Sequence, residues 1–125
     1  DDMGRFDAQG ILAIVERKKD IISSGGENIA SREVEAVISL LDNVKQVAVV
    51  GIADQKWGER VCAMVERVDQ QLAEPSKAKV ISQCRDQLAG YKSPKLVLFD
   101  RLPVNANGKI DKQKVKCVFT YQENS

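Results

Sequence analysis

The sequence contains no histidine among its 125 residues. That removes histidine-based catalytic triads, most zinc sites and the commonest general base. Long apolar runs are also missing; none approaches the roughly 18 residues a membrane span needs. The chain opens Asp1-Asp2-Met3-Gly4, acidic where an export signal would be basic, so no signal peptide is expected. Cysteine is scarce and odd in number: Cys62, Cys84 and Cys117 are widely spaced, each among apolar neighbours. This argues against a paired disulfide framework and for buried free thiols in a reducing compartment, the cytoplasm. With no histidine and no clustered cysteine, no metal site is expected. Aromatics make up 5% of residues and the formal net charge is +1, so no global field draws the chain to nucleic acid or membrane.

What is present fits one soluble domain with a real core: 43% apolar and 30% charged residues. Residues 11–15 form a short apolar run. Five charges (Glu16-Arg17-Lys18-Lys19-Asp20) separate it from Ile21-Ile22, as a hairpin turn or a linker would. Ser31 reads as a helix N-cap, with Glu33 and Glu35 placed for the dipole. Val34, Val37, Ile38 and Leu41 follow at helical spacing, and Asp42-Asn43 ends the segment. The nearly unbroken apolar run over 47–52 predicts a central strand buried on both faces. Residues 61–68 predict a second strand, turning polar at Glu66-Arg67. Ser76 caps a second helix whose face is Val80, Ile81, Cys84 and Leu88, with Gly90 as its C-terminal glycine. Residues 96–99 predict a third strand, and Asp111 caps a last helix through Val115 and Val118. The expected fold is a small α+β domain, an N-terminal β-hairpin and a three-stranded sheet packed with helices.

Two loops stand out. Leu102-Pro103-Val104-Asn105-Ala106-Asn107-Gly108-Lys109-Ile110-Asp111 joins a proline, two asparagines and a glycine into a tight turn that holds up Lys109, with Ile110 behind it as an anchor. Taken alone, a loop lysine reads as a solvated charge. Ser23-Ser24-Gly25-Gly26-Glu27-Asn28 carries paired glycines, which admit close approach of another strand or a ligand. It lacks phosphate-loop spacing and by itself reads as a structural turn. Lysines concentrated in the last third would suit a nucleic-acid binder. The balanced charge and few aromatics count against that, and no nucleic acid is expected as a partner.

Taken together and in order, these stretches resemble the C-terminal part of the adenylate-forming enzymes, the AMP-forming acyl- and aryl-CoA synthetases. The matching runs are Gly4-Arg5-Phe6-Asp7, Glu16 to Asp20, Ser24-Gly25-Gly26-Glu27-Asn28-Ile29, Val49-Val50-Gly51 with 54–58, Tyr91-Lys92-Ser93-Pro94-Lys95, and Leu102-Pro103 to Gly108-Lys109-Ile110. The resemblance implies a division at 1–19, the end of a large N-terminal domain and its hinge linker, and 20–125, a mobile lid. It implies that the full enzyme, with the large domain as partner, joins a carboxylic acid to ATP (with Mg2+) and passes the acyl group to coenzyme A. It implies Lys109 as the adenylation lysine, Lys19 as the hinge, and Arg17 and Asp2 near the nucleotide. Asp1 stands where the family has a glycine before that acid. Gly25 and Gly26 would line the pantetheine tunnel, and Trp57, Tyr91 and Lys92 would meet the CoA nucleotide, although Trp57 and Tyr91 could equally be packing residues. Ser93 replaces a basic residue found in some relatives. No cofactor is expected to bind tightly to this chain alone, and alone it should be nearly inactive. The alternatives are a stand-alone binding or regulatory module and an adenylating enzyme that does not use CoA.

Overall fold

Residues 47–52 and 61–65 are almost wholly apolar, and they face each other in a long antiparallel hairpin. The strands are β3 (Val44–Asp54) and β4 (Gly58–Arg67), in register from Val47 opposite Val65 to Asp54 opposite Gly58. They belong to a computed structural model that describes residues 21–123. The expected strand over 11–15, and the readings of Asp2, Arg17 and Lys19, lie outside the described residues. Asp54 forms the turn: its carboxylate accepts the backbone N–H groups of Lys56 (2.7 Å) and Trp57 (3.0 Å).

The expected three strands are β3, β4 and β5 (Leu96–Phe99), the last parallel to β4. The N-terminal hairpin, β1 (Ile21–Ser24) and β2 (Glu27–Ala30), joins them through β1 beside β4, giving five strands in one sheet. β4 is therefore the central strand. The run over 47–52 lies in β3, which among the described residues pairs only with β4. It is apolar because both its faces are covered, not because strands flank it. The free edge is partly satisfied by a side chain, Glu35, whose carboxylate accepts the Val49 N–H at 2.9 Å.

Strand alternation sorts the core into two halves. Val47, Val49, Val61, Ala63 and Val65 face α1 (Ser31–Ser39) and α2 (Lys77–Gln87), meeting Val34, Ile38, Val80 and Cys84. Ala48, Val50, Ile52, Cys62 and Met64 face α3 (Lys112–Glu123), meeting Val115, Phe119 and Leu102.

The helix ends test the sequence signals. Ser76 caps α2, accepting the Lys79 N–H at 3.1 Å, and Asp111 caps α3 through the N–H groups of Gln113 and Lys114. Ser31 is not a cap. Ala30 holds that position, and the Ser31 hydroxyl accepts a bond from Lys112 Nζ at 3.2 Å. α1 stops at Ser39, short of Asp42, and the chain turns into β3 through Asn43, whose φ is +68°. Gly90 is not a C-terminal glycine either: α2 ends at Gln87 with Leu88 extended after it, and Gly90 opens a one-turn 3-10 helix.

All three cysteines are free thiols. Cys62 and Cys84 are fully buried, and burial pushes each thiol up to about 11. At Cys62, Arg60 offsets part of that rise and Asp54 adds to it. Cys117 departs from the expected burial because it lies between Val115 and Phe119 and so faces away from the core. The folded chain should show one fast thiol towards an aromatic disulfide reagent and two that react only on unfolding. Cys117→Ser should abolish the fast phase.

Candidate functional site

The turn bearing Lys109 is built by Asn105. Its N–H donates to the Lys109 carbonyl (2.7 Å) and its carbonyl accepts the Gly108 N–H (2.9 Å). Its side-chain oxygen accepts the N–H groups of Asn107 (2.8 Å) and Lys109 (3.1 Å). Gly108 closes the turn at φ +80°, a conformation that side chains with a Cβ resist. Val104 and Ile110 form a single antiparallel bridge, and the Asp111 N–H returns to the Pro103 carbonyl at 2.9 Å. Leu102 is buried and Ile110 half-buried against the α3 side of the sheet, so the expected anchor exists. Lys109 is exposed, and its ammonium has no hydrogen bond or ion pair among the described residues. The result is one cation on a stiff, well-bonded arm.

A second constellation lies where the β1–β2 and β3–β4 turns meet. Gly25 and Gly26 both hold positive φ (+60° and +83°), as a two-residue turn of the right twist requires. The Gly25 N–H donates to the Trp57 carbonyl at 2.8 Å, and a Cβ on Gly25 would lie 3.3 Å from the indole. Glycine here thus serves Trp57, which is 37% exposed. Two ammonium groups flank that ring, Lys95 at 4.6 Å and Lys56 at 5.2 Å from its centre. An exposed indole between two cations suits a flat ring that carries phosphate.

Tyr91 is exposed, with Lys92 Nζ 5.9 Å from its ring. Lys92 donates to Glu33 at 2.9 Å; that bond does most to raise its pKa, against a smaller opposing effect of burial. A phosphate here would have to share Lys92 with Glu33. Ser93 is only 6% exposed, and among the described residues its hydroxyl has no hydrogen-bond partner, so it presents nothing outward.

Gly25, Gly26 and Trp57 are therefore brought together, Tyr91 and Lys92 stand beside α1 through Glu33, and Lys109 is carried by the loop whose Leu102 and Ile110 pack on the α3 side. Sequence reasoning passed over Lys95 as a site residue, although it ends the Tyr91-Lys92-Ser93-Pro94-Lys95 run. It read Asn105 only as one of the turn's two asparagines, and it passed over Glu66, whose carboxylate accepts the Leu102 N–H. No sequence signal marked Glu66, since a carboxylate at a strand end ordinarily faces water. Among the described residues, no group of three His, Cys, Asp or Glu side chains could hold a metal ion.

The model of the AMP-binding enzyme C-terminal domain matches residues 33–109. The chain is 42% identical over 116 residues to a 2-succinylbenzoate–CoA ligase of Listeria monocytogenes, covering 92% of this chain and 24% of that protein. It is 45% identical over 110 residues to the long-chain-fatty-acid–CoA ligase FadD13 of Mycobacterium tuberculosis, covering 87% and 21%. The chain thus spans a quarter or less of the relatives it matches. Among solved structures, a Mycobacterium tuberculosis fatty acyl CoA synthetase superposes with a TM-score of 0.76 at 41% identity, over 83% of this chain and 20% of that one. The amide bond synthetase McbA of Marinactinospora thermotolerans does so with a TM-score of 0.76 at 38% identity, over 81% and 20%.

Gly25→Ala should cost about 1–2 kcal/mol from its left-handed backbone alone, and its methyl should also shift Trp57 emission. Gly26→Ala meets open space, so it should leave the emission unchanged. Urea unfolding followed by tryptophan fluorescence measures both.

Proposed function

Because this chain belongs to the AMP-binding enzyme C-terminal domain family, we propose that it is the mobile lid of an ATP-dependent carboxylic acid:CoA ligase. Its partner is a large adenylation domain carrying the acid pocket and the phosphate loop. In the first step a carboxylate oxygen attacks the α-phosphorus of ATP and the bond to pyrophosphate breaks, leaving an acyl-adenylate. In the second the thiol of CoA attacks the acyl carbon and AMP leaves. The observation that carries this reading is Lys109, an exposed ammonium with no partner among the described residues, on a loop stiffened by Asn105.

Two anions must meet in the first step, and negative charge grows on the phosphate oxygens as pyrophosphate departs. A preorganised cation there lowers the barrier by about 3 kcal/mol, and lysine suits the role as a compact point charge. Arg17 and Asp2 assist with the nucleotide and its ribose. Magnesium enters the reaction with ATP, as part of that substrate. After adenylation the lid turns about Lys19, withdrawing Lys109 and presenting Gly25, Gly26 and Trp57. Gly26, with open space where a Cβ would be, leaves room for the pantetheine arm, and Gly25 lines the same turn against Trp57. Trp57 with Tyr91, Lys92 and Lys95 receives the CoA nucleotide. The placement of Lys109 on a loop packed to the α3 side, and of Trp57 at the strand turns, supports such a division of labour. Free thiols and the lack, among the described residues, of any helix long and apolar enough to cross a membrane support a cytoplasmic setting.

A second reading replaces CoA with another acceptor, such as an amine. The likeness to an amide bond synthetase, as close in TM-score as that to the fatty acyl CoA synthetase, favours it. Thioester formation with CoA separates the two.

In the full enzyme, Lys109→Ala should slow acid-dependent pyrophosphate exchange about a hundredfold or more, while thioester formation from supplied acyl-adenylate falls far less. Equal losses would refute the assignment. Lys19→Pro should impair the passage between half-reactions without altering the melting temperature, and normal turnover of the coupled reaction would exclude Lys19 as the hinge.

A further inference from the structure

We propose that Glu66 is the positioning residue for Lys109, its buried carboxylate fixing the root of the loop that carries the lysine. The inference rests on the adenylation role given to Lys109 above. On β4 the side chains of Cys62 and Met64 face α3 and are buried; Glu66 takes the next place in that row and is only 5% exposed. Its Oε1 accepts the backbone N–H of Leu102 at 3.0 Å and the side-chain amide of Gln46 at 2.9 Å. Its Oε2 lies 3.5 Å from Lys45 Nζ.

The Leu102 bond is the one that matters for the loop. The Asp100 N–H still reaches the Val65 carbonyl of β4, at 3.1 Å. Two residues later the chain has left the sheet, yet Leu102 is only 3% exposed. Its N–H would be orphaned there without the carboxylate. Beyond Leu102 the turn is bonded within itself, Asp111 to Pro103 and Asn105 to Lys109, and so moves as one piece. Its tilt against the sheet is set at its two roots. One is Asp111, capping α3; the other is Leu102, held by Glu66. An apolar residue at position 66 would continue the row of Cys62 and Met64 and pack as well, but would leave that root unheld.

The test uses the full-length enzyme with Glu66→Met, which keeps the length and removes the acceptor, and Glu66→Gln, which keeps an acceptor oxygen. Lys109→Ala is the reference. Glu66→Met should slow acid-dependent pyrophosphate exchange on the order of tenfold or more at saturating ATP and acid, with each KM within about twofold. Thioester formation from supplied acyl-adenylate should stay within about threefold, and Glu66→Gln should recover most of the lost rate. Equal loss in both half-reactions marks a general structural role and overturns the proposal. Wild-type adenylation by Glu66→Met beside a slow Lys109→Ala overturns it while sparing the lysine's role. A Lys109→Ala enzyme that adenylates normally overturns both. Should Glu66→Met fail to fold, amide exchange of the wild-type enzyme decides: protection at Leu102 well above that at Asn107 is expected, and equal exchange sinks the anchor.

Discussion

The β3–β4 hairpin is apolar on both faces, and that constraint organises the domain. A sheet with two greasy faces needs two covers. α1 and α2 supply one, and α3 with the base of the Lys109 loop supplies the other. Each buried side chain of the Val49, Val65 or Phe119 kind contributes about 1.5–3 kcal/mol relative to exposure, so neither cover is dispensable. The same requirement distributes the chemistry. Lys109 is carried by the α3 cover, whereas Trp57 and its cations stand at the strand turns.

Polar groups then lock the covers to the sheet. Glu35 accepts the Val49 N–H on the open edge of β3 and pairs with Lys112 at 2.8 Å, tying α1, β3 and α3 together. Glu66 does the equivalent for the start of the lysine loop. Its burial would raise its pKa, but the bonds from Gln46 and Leu102 and the charge of Lys45 outweigh that and hold it lowered. A group depressed in this way stabilises the fold above its ordinary range, near pH 4.3, and the benefit is lost as pH falls through its native value.

The signals that read correctly from sequence are local. Ser76 and Asp111 cap because an oxygen acceptor reaches N–H groups two or three residues away, whatever lies beyond. The Asn105–Gly108 turn follows from side chains that tolerate or stabilise tight backbone, and the Gly25-Gly26 pair from its positive φ. The misreadings involve distant partners. Ser31 and Glu35 look like helix-start residues but are engaged by Lys112 and Val49. The run over 47–52 looks central but among the described residues pairs with β4 alone, since burial by helices and burial between strands leave the same apolar pattern.

The three helices, the strands β3, β4 and β5, the stiffness of the Lys109 turn and the order of motifs that marks the family are all legible along the chain. Each of these depends on contacts within a few residues or on spacing along the chain. Packing between distant segments is what sets Gly25 against Trp57, Lys95 beside that ring, Lys92 on Glu33 and Glu66 on Leu102. Those pairs lie 32, 38, 59 and 36 residues apart by their numbers. Their meeting is set by strand register and by which face of the sheet each helix covers, and no local rule of the chain encodes either.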